Sequence, residues 1–215
     1  MRLLWLASPA LPTGAYAYSR GLEQAVERGW VCDAASAHAW IEGLLSRQVA
    51  TLDAPLLARF YDAFTAGVAV DIERYRELSC AARETAELQL EEEQLGRALA
   101  HVLRDTGVPG FERYRELGSF VAVFAYACVH FGIERRAAIT AFLFMFAENQ
   151  LIAAIKLVPL GQSAGQGVLG RLLANIEALT DAALALRDDE IGAFTPGLSL
   201  ASSLHETQYT RLFRS

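Results

Sequence analysis

The sequence predicts an all-α fold, a single-domain bundle of about eight to ten helices over residues 1–215. The first observation is that apolar residues recur every three or four positions through most of the chain, which is the spacing of a helix with one buried face. The second is that no segment alternates apolar and polar residues as a strand does, and no Asn-Gly pair marks a hairpin. The third is a hydrophobic content of 53%, which supplies apolar surface for a core.

Proline and glycine divide the first third of the chain. Residues 1–14 contain three of these breaks and are predicted to form an irregular lead-in segment. A short helix is expected over 19–28. Asp33 has the side chain of an N-cap, and it precedes a helix that is expected to kink or restart at Pro55 and to end at Gly67.

The longest charged run, RETAELQLEEEQLGR, lies in a segment that is predicted to be one helix over 72–104. Two pairs of opposite charge, Arg83 with Glu87 and Glu93 with Arg97, are four residues apart and so share a helix face. Leucines keep an apolar stripe on the opposite face. We interpret the charged run as a solvated helix face, and the alternative is an acidic surface that attracts a basic partner.

The second half of the chain is predicted to contain four more helices. The first is apolar nearly all round, as a central helix is, and the last begins at the N-cap candidate Thr195 before Pro196. The longest apolar runs are shorter than the roughly 18–20 residues of a membrane span, and the short run near Met1 is not a signal peptide, so no membrane partner is expected. The predicted ranges are 117–130, 134–158, 165–186 and 196–205.

Charge and cysteine content exclude several classes of protein. A net charge of −6 argues against a nucleic-acid partner, which would need a basic patch. Cys32, Cys80 and Cys128 are widely spaced and form no C-x-x-C pair. Neither a disulfide framework nor a zinc site is expected, and a reducing cytoplasm fits this cysteine usage.

Catalytic motifs are absent from the sequence, and its four histidines are dispersed. His130 follows an apolar run and is expected to be a core residue. Asn149 and Lys156 are seven residues apart, about two helical turns, and share a predicted face, with Gln162 following. This polar group is either a buried network that fixes helix register or a surface for a ligand or partner. An all-helical enzyme or small-molecule-binding protein that uses these three side chains is the alternative to a protein that acts through protein contacts.

The last ten residues, ETQYTRLFRS over 206–215, form a basic and aromatic tail in an otherwise acidic chain. The guanidinium of Arg211 can make forked contacts with a carboxylate. Tyr209, Leu212 and Phe213 can serve as apolar anchors at an interface. We interpret the tail as a docking segment, and the alternative is a frayed terminus.

Four separate stretches of the chain match one known pattern. They are LASPALPTGAYAYSRGLEQAVERGWV, RETAELQLEEEQLGRAL, IKLVPLGQSAGQ and HETQYTRLFRS. In this order and spacing they resemble the urease accessory protein F (UreF) family, and the resemblance covers nearly the whole chain.

The resemblance implies a non-enzymatic, all-helical scaffold that forms a homodimer and has no cofactor of its own. It implies binding to the accessory D protein, called H in some organisms, and recruitment of the accessory G GTPase by that pair. The assembly would deliver nickel to the urease apoprotein in the cytoplasm, with nickel passing through the complex only transiently. It would also modulate the hydrolysis of GTP.

The resemblance also implies which residues meet partners. Tyr16, Lys156 and Arg211 match positions that the family uses in complex assembly and GTPase recruitment. Ala17 and Gly167 depart from the family's pattern, in which a small hydroxyl residue and an arginine are usual. The partner-binding set drawn from the matching stretches is Tyr16, Tyr18, Glu23, Lys156, Gln162, Gln166, His205, Glu206, Tyr209, Arg211, Leu212 and Phe213.

Overall fold

The structure, a computed structural model, describes residues 1–109 and 117–215, and every regular element in these two ranges is a helix. The predicted all-α fold is confirmed. The α-helices are Arg2–Leu6 (α1), Leu22–Glu27 (α2), Ala34–Leu44 (α3), Ala54–Ala66 (α4), Ala69–Ala81 (α5), Ala86–Asp105 (α6), Phe120–His130 (α7), Arg135–Leu157 (α8), Gln162–Ala185 (α9) and Pro196–His205 (α10), with a π-helix at Leu45–Asp53 and 3₁₀ turns at Ala15–Ala17 and Asp188–Glu190.

Helix α7 is central to the bundle, as its uniformly apolar sequence predicts. It packs against both α4 and α6, and the side chains of Val121 and Phe124 are fully buried. The ring of Phe124 meets that of Phe142 on α8 edge-on, with centroids 5.6 Å apart. Helix α8 packs along α9, which also contacts α3, so one hydrophobic cluster joins both halves of the chain.

Helix α8 is long and apolar enough to cross a membrane by length and composition alone, with a mean hydropathy of 1.6 in its most apolar window. Of the two longest apolar runs in the sequence, ITAFLFMFA is part of this single helix of 23 residues, and FVAVFAYACV forms the shorter helix α7. However, 56% of that window is buried inside the protein. More than half of this window is therefore covered by the rest of the protein, as in a core helix.

Local sequence signals place the helix ends near the start of the bundle. The Ser36 N–H donates to Asp33 Oδ1 at 2.8 Å, which confirms Asp33 as the N-cap of α3. The predicted restart at Pro55 is also confirmed, because the π-helix ends there and α4 begins. Pro55 has no N–H to donate to the carbonyl of Thr51, and that carbonyl instead accepts from the Gly192 N–H at 3.0 Å.

The predicted single helix over 72–104 is wrong, because α5 ends at Ala81 and α6 begins at Ala86. Thr85 caps α6 by accepting the Leu88 N–H at 3.2 Å, and this cap starts a new helix. Arg83 lies in the connection, so its predicted ion pair with the residue four positions later does not form. The predicted pair of Glu93 and Arg97 is confirmed, with 3.2 Å between their charged atoms.

Three other expectations need correction. The lead-in segment is helical over Arg2–Leu6, before its first proline. Helix α9 begins at Gln162 and not at 165, because its glycines do not prevent helix formation there. His130 is exposed at the end of α7 and is not a core residue, since the apolar run that precedes it ends at that turn.

Gly96 lies where α6 meets the start of α7. A Cβ atom here would lie 2.8 Å from the main-chain carbonyl carbon of Ser119 and 2.9 Å from the nitrogen of Phe120. We predict that Gly96→Ala lowers the free energy of unfolding, measured in urea, by about 1–3 kcal/mol, because main chain must move. The control Gly170→Ala, with no neighbouring atom within 4 Å, should raise it by up to about 1 kcal/mol. Equal stability of the two variants would contradict the close contact of α6 and α7.

Cys128 differs from the other two cysteines in its reactivity. Burial raises the pKa of its thiol to about 12, whereas Cys32 and Cys80 are exposed. Because the thiolate is the reactive form, we predict that a thiol reagent at about pH 8 labels two cysteines rapidly in the native protein and the third only after unfolding. Cys32→Ser should remove one rapid reaction and Cys128→Ala none. Three rapid reactions in the wild type would contradict the burial of Cys128.

Candidate interaction site

Residues 206–215, called the tail segment below, fold back onto the N-terminal part of the chain. The Arg214 N–H donates to the Ala17 carbonyl, and the Ser19 N–H donates to the Ser215 main-chain oxygen, both at 2.8 Å. The Ser19 hydroxyl donates to the same Ser215 oxygen at 2.6 Å. Phe213 packs into the core and keeps only 5% of its surface exposed. The tail segment is therefore a packed part of the fold, and the alternative of a frayed terminus is wrong.

Glu23 on α2 is the main anchor of the tail segment. One of its carboxylate oxygens accepts the Leu212 N–H at 2.6 Å, and the other accepts the Phe213 N–H at 2.8 Å. The Nε2 atom of His205 lies 3.2 Å from the second oxygen. A buried carboxylate is unfavourable unless hydrogen-bond donors surround it. The tail segment and α10 supply those donors.

His205 is fully buried at the end of α10 and lies between two carboxylates. Its Nδ1 atom is 2.8 Å from Glu87 on α6, and its Nε2 atom faces Glu23. Arg211 Nη1 donates to the other oxygen of Glu87 at 2.8 Å, and Arg211 also donates to the main-chain oxygen of Glu206. The Arg211 side chain thus fixes the shape of the tail segment while remaining about one-third exposed.

Helix α6 presents a stripe of polar side chains to the tail segment, namely Glu87, Glu91 and Gln94, at spacings of four and three residues. Glu91 accepts the hydroxyl of Ser215 at 2.7 Å, and Gln94 accepts the hydroxyl of Tyr18 at 2.5 Å. Glu91 is only 3% exposed. The interpretation of the whole charged run as a solvated face is therefore corrected, because part of it binds the tail segment.

A deeper group of charges adjoins this stripe. Asp53, fully buried in the π-helix, accepts from Arg83 Nη2 at 2.6 Å, and Arg83 also lies 3.3 Å from Glu92. Arg20 donates to Glu91 at 2.7 Å and lies 3.6 Å from Asp53. Burial alone would lower the pKa of both arginines, but the adjacent carboxylates outweigh it and raise both pKa values. The two guanidinium groups therefore stay charged inside the protein.

Arg20 is the one residue other than glycine with a positive φ in the described parts of the chain, at 49°. A left-handed conformation costs about 1–2 kcal/mol, and the contacts of Arg20 with Glu91 offset that cost. Gly21 follows with φ 73°, and a Cβ there would lie 3.0 Å from the Cβ of Ala201 on α10. This tight turn makes α2 start at Leu22, later than the predicted start at 19.

Lys156 connects the middle of the sequence to both ends. Its Nζ atom lies 5.7 Å from the ring centroid of Tyr16 and 5.6 Å from that of Phe213. On the same helix, Asn149 Nδ2 donates to the Ala15 carbonyl at 3.1 Å. The shared helix face of Asn149 and Lys156 therefore contacts the N-terminal motif, and Lys156 also reaches the tail segment.

Apolar side chains protrude into solvent around the docked tail segment. Tyr209 is fully exposed, Leu212 is 65% exposed and Tyr16 is 58% exposed. Leu90 on α6 is 49% exposed. We call these four residues, together with Lys156, the tail surface. Aromatic and apolar groups that a stable scaffold holds in solvent are typical of a protein-binding surface.

The structure divides the predicted site residues into three groups. Those near the tail segment with exposed side chains are Tyr16, Lys156, Glu206, Tyr209, Arg211 and Leu212. Those buried within the chain are Tyr18, Glu23, His205 and Phe213. Phe213 is therefore an internal anchor, which corrects the expectation that it fills a partner's pocket. Gln162 and Gln166 are exposed at the start of α9, and within the described residues no hydrogen bond joins them to the tail segment.

The geometry gives no support to a small-molecule site built on Asn149, Lys156 and Gln162. The cavity beside Asn149 has a volume of about 50 Å³, and neither Lys156 nor Gln162 lines it. Sites for small molecules usually enclose about 300–1,000 Å³. Within residues 1–109 and 117–215, no three His, Cys, Asp or Glu side chains form a group that could hold a metal ion.

The sequence does not indicate that Arg20, Asp53, Arg83, Glu87 and Glu91 are parts of one network. A usable signal existed for Asp53, which interrupts the apolar stretch LDAPLLA, because an acidic residue in such a stretch is usually buried and paired. The spacing of the two glutamates also placed them on one face. No feature of the neighbouring sequence indicates that this helix face is buried.

A substitution at Asp53 would show how much the buried ion pairs of Arg20 and Arg83 contribute to stability. We predict that Asp53→Ala lowers the free energy of unfolding by about 3–5 kcal/mol, because it leaves Arg83 buried without its closest partner. The control Asp181→Ala removes an exposed partner of Arg136 and should cost less than about 1 kcal/mol. Urea unfolding measures both, and Asp53→Asn provides a milder variant. Equal costs at the two aspartates would contradict the buried network.

Comparison with known proteins identifies the family. Residues 31–173 match the UreF family model. The chain is 46% identical to the urease accessory protein UreF of Azoarcus sp. (strain BH72), over 100% of this chain and 95% of that protein. It is 45% identical to that of Pseudomonas putida (strain W619), over 100% and 97% of the two chains. The protein of Alkalilimnicola ehrlichii is 44% identical, over 100% and 95%. The chain belongs to the UreF family of urease accessory proteins.

Proposed function

We propose that this chain is a non-enzymatic scaffold that binds the accessory D protein, called H in some organisms, and with it recruits the accessory G GTPase. The resulting complex delivers nickel to the urease apoprotein and modulates the hydrolysis of GTP by the GTPase. Nickel is the cargo of the complex, and the chain has no resident cofactor. The chain acts in the cytoplasm as a homodimer, with neither a nucleic-acid nor a membrane partner.

The observation that carries this proposal is the tail surface. Tyr209 and Leu212 protrude from a segment whose main chain is fixed by Glu23, a residue nearly 190 positions earlier in the sequence. A scaffold in which buried charged groups fix the main chain under exposed apolar side chains is suited to protein recognition. Because the chain belongs to a family named as accessory to urease, we infer that its partners are the other urease maturation proteins.

The anchoring of the tail segment also favours tight binding. The amide groups of Leu212 and Phe213 are already engaged by Glu23, so the segment is ordered before a partner arrives. A partner then loses little free energy in ordering this segment. The buried members of the predicted site therefore support the exposed members, and a substitution at Glu23 would weaken partner binding indirectly.

Charge adds specificity to the tail surface. Arg211 and Arg214 line a groove of about 400 Å³ together with Leu90 and the carboxylates of Glu87 and Glu91. Lys156 lies next to Tyr16. These cations stand out in a chain with a net charge of −6. They favour a partner that presents carboxylates around an apolar patch, with binding that weakens as salt increases.

The test is size-exclusion chromatography of the chain with the D protein, the G GTPase, GTP and nickel. We predict that the wild type forms the ternary complex and that Tyr209→Ala combined with Leu212→Ala weakens recruitment by roughly 30-fold or more, as truncation of interface hot spots does. Both side chains are exposed, so the fold should be unaffected. Arg211→Ala removes both an exposed cation and a bond to Glu87, and it should retain the D protein but lose the GTPase.

The control is Phe194→Ala, which removes an aromatic side chain that is 77% exposed outside the tail surface. This variant should recruit both partners as the wild type does. If the tail variants and the control all form the complex equally well, the tail surface is not a docking site. If the wild type binds neither protein, the scaffold proposal itself fails.

A further inference from the structure

A polar cleft of about 760 Å³ lies between α5, α6 and the residues that precede α7. Four arginines line it, and they come from both helices and from their connection. Arg76 is on α5 and Arg83 is in the connection, while Arg97 and Arg104 are on α6. This cleft uses a different face of α6 from the stripe that binds the tail segment, and the proposed scaffold function gives it no role.

The arginines at the rim of the cleft have only weakly held partners. Arg97 pairs with Glu93, and Arg104 pairs with Asp105 at 2.9 Å. These side chains are all between about two-fifths and two-thirds exposed. Exposed ion pairs contribute little to stability, so an incoming anion can displace the carboxylates from the guanidinium groups.

Among the residues that the structure describes, the floor of the cleft holds two buried donors without a hydrogen-bond partner, and one oxygen of Glu92 is a buried acceptor without one. The donors are the Nε–H of Arg83 and the hydroxyl of Ser79, and these residues are 8% and 1% exposed. Buried polar groups in native proteins are nearly always hydrogen-bonded. Arg83 is held in place by Asp53 through its Nη2 atom, so its unpartnered Nε–H is a fixed donor. These donors at the floor, with guanidinium groups above them, match the oxygen atoms of a small anion.

The described part of the lining favours a hydrophilic anion. Of the described residues that line the cleft, Leu117 is the only large aliphatic one and none is aromatic. A peptide would need apolar anchors, and a nucleobase would need an aromatic face for stacking. A compact hydrophilic anion needs neither. Arginine forks are suited to phosphate and carboxylate groups in particular.

We propose that this cleft binds a small multivalent oxyanion, a molecule that carries two or more phosphate or carboxylate groups on a compact framework. Ser79 and Arg83 bind it at the floor, and Arg97 and Arg104 bind it at the rim. Glu92 and Glu93 also line the cleft and oppose an anion, so affinity depends on the rim arginines exchanging their partners.

The test is isothermal titration calorimetry of the full chain with pyrophosphate and, separately, with citrate, supported by the ³¹P line width of pyrophosphate. We expect binding of one anion per chain that weakens as sodium chloride increases. Pyrophosphate carries phosphate groups and citrate carries carboxylates. The ligand that binds with the lower Kd shows which group the cleft prefers. Arg97→Ala combined with Arg104→Ala should weaken binding by about tenfold or more.

Ser79→Ala probes the floor of the cleft and should also weaken binding. The matched control is Arg187→Ala, which removes an arginine that is 68% exposed outside the cleft and should leave the affinity unchanged. Circular dichroism without ligand verifies that every variant is folded. Absence of binding up to millimolar pyrophosphate and citrate overturns the proposal. Equal weakening by Arg187→Ala also overturns it, since that result indicates non-specific attraction.

Discussion

The carboxylate of Glu23 is where α2, α10 and the tail segment meet, because it accepts the amides of Leu212 and Phe213 and contacts the ring of His205. A carboxylate in this buried position is tolerable only while those donors remain in place. Docking of the tail segment and burial of α2 are therefore thermodynamically coupled, because each requires the other. The surface around the tail segment therefore takes its shape from an interaction that is buried inside the chain.

Charge in this protein is arranged by depth. Asp53 is fully enclosed, and Arg83 and Glu91 are buried. Glu87 is half-buried under the tail segment, and Arg211 reaches solvent. Arg211 pairs with Glu87 on α6, and Arg20 joins Glu91 on the same helix to Asp53. Arg83 also borders the arginine-lined cleft, together with Glu92 and Glu93 on α6, so the same acidic helix supports two surfaces.

Local signals in the sequence were sufficient for most helix positions, since caps such as Asp33 and breaks such as Pro55 act through residues a few positions away. The resemblance to one family drew attention to Tyr16, Lys156 and the tail segment. Helical periodicity does not show which distant segments meet. For example, Glu87 and His205 are in contact although they are 118 residues apart in the sequence. A charged helix face has the same pattern whether it meets water or a docked segment, so the burial of part of α6 appears only in three dimensions.

The anchoring of the tail segment also has an evolutionary consequence. Glu23, Glu87 and His205 share donors and acceptors, so a change at any one leaves the other two with unmatched buried groups. In related sequences, we expect these three positions to change together, because a single change gives a variant that folds poorly. Within the described residues, the exposed side chains of Tyr209 and Leu212 make no hydrogen bond or ion pair, although Glu23 binds the main-chain N–H of Leu212. They can follow changes in a partner one substitution at a time, and the fold thereby separates inheritance of the scaffold from adaptation of its contacts.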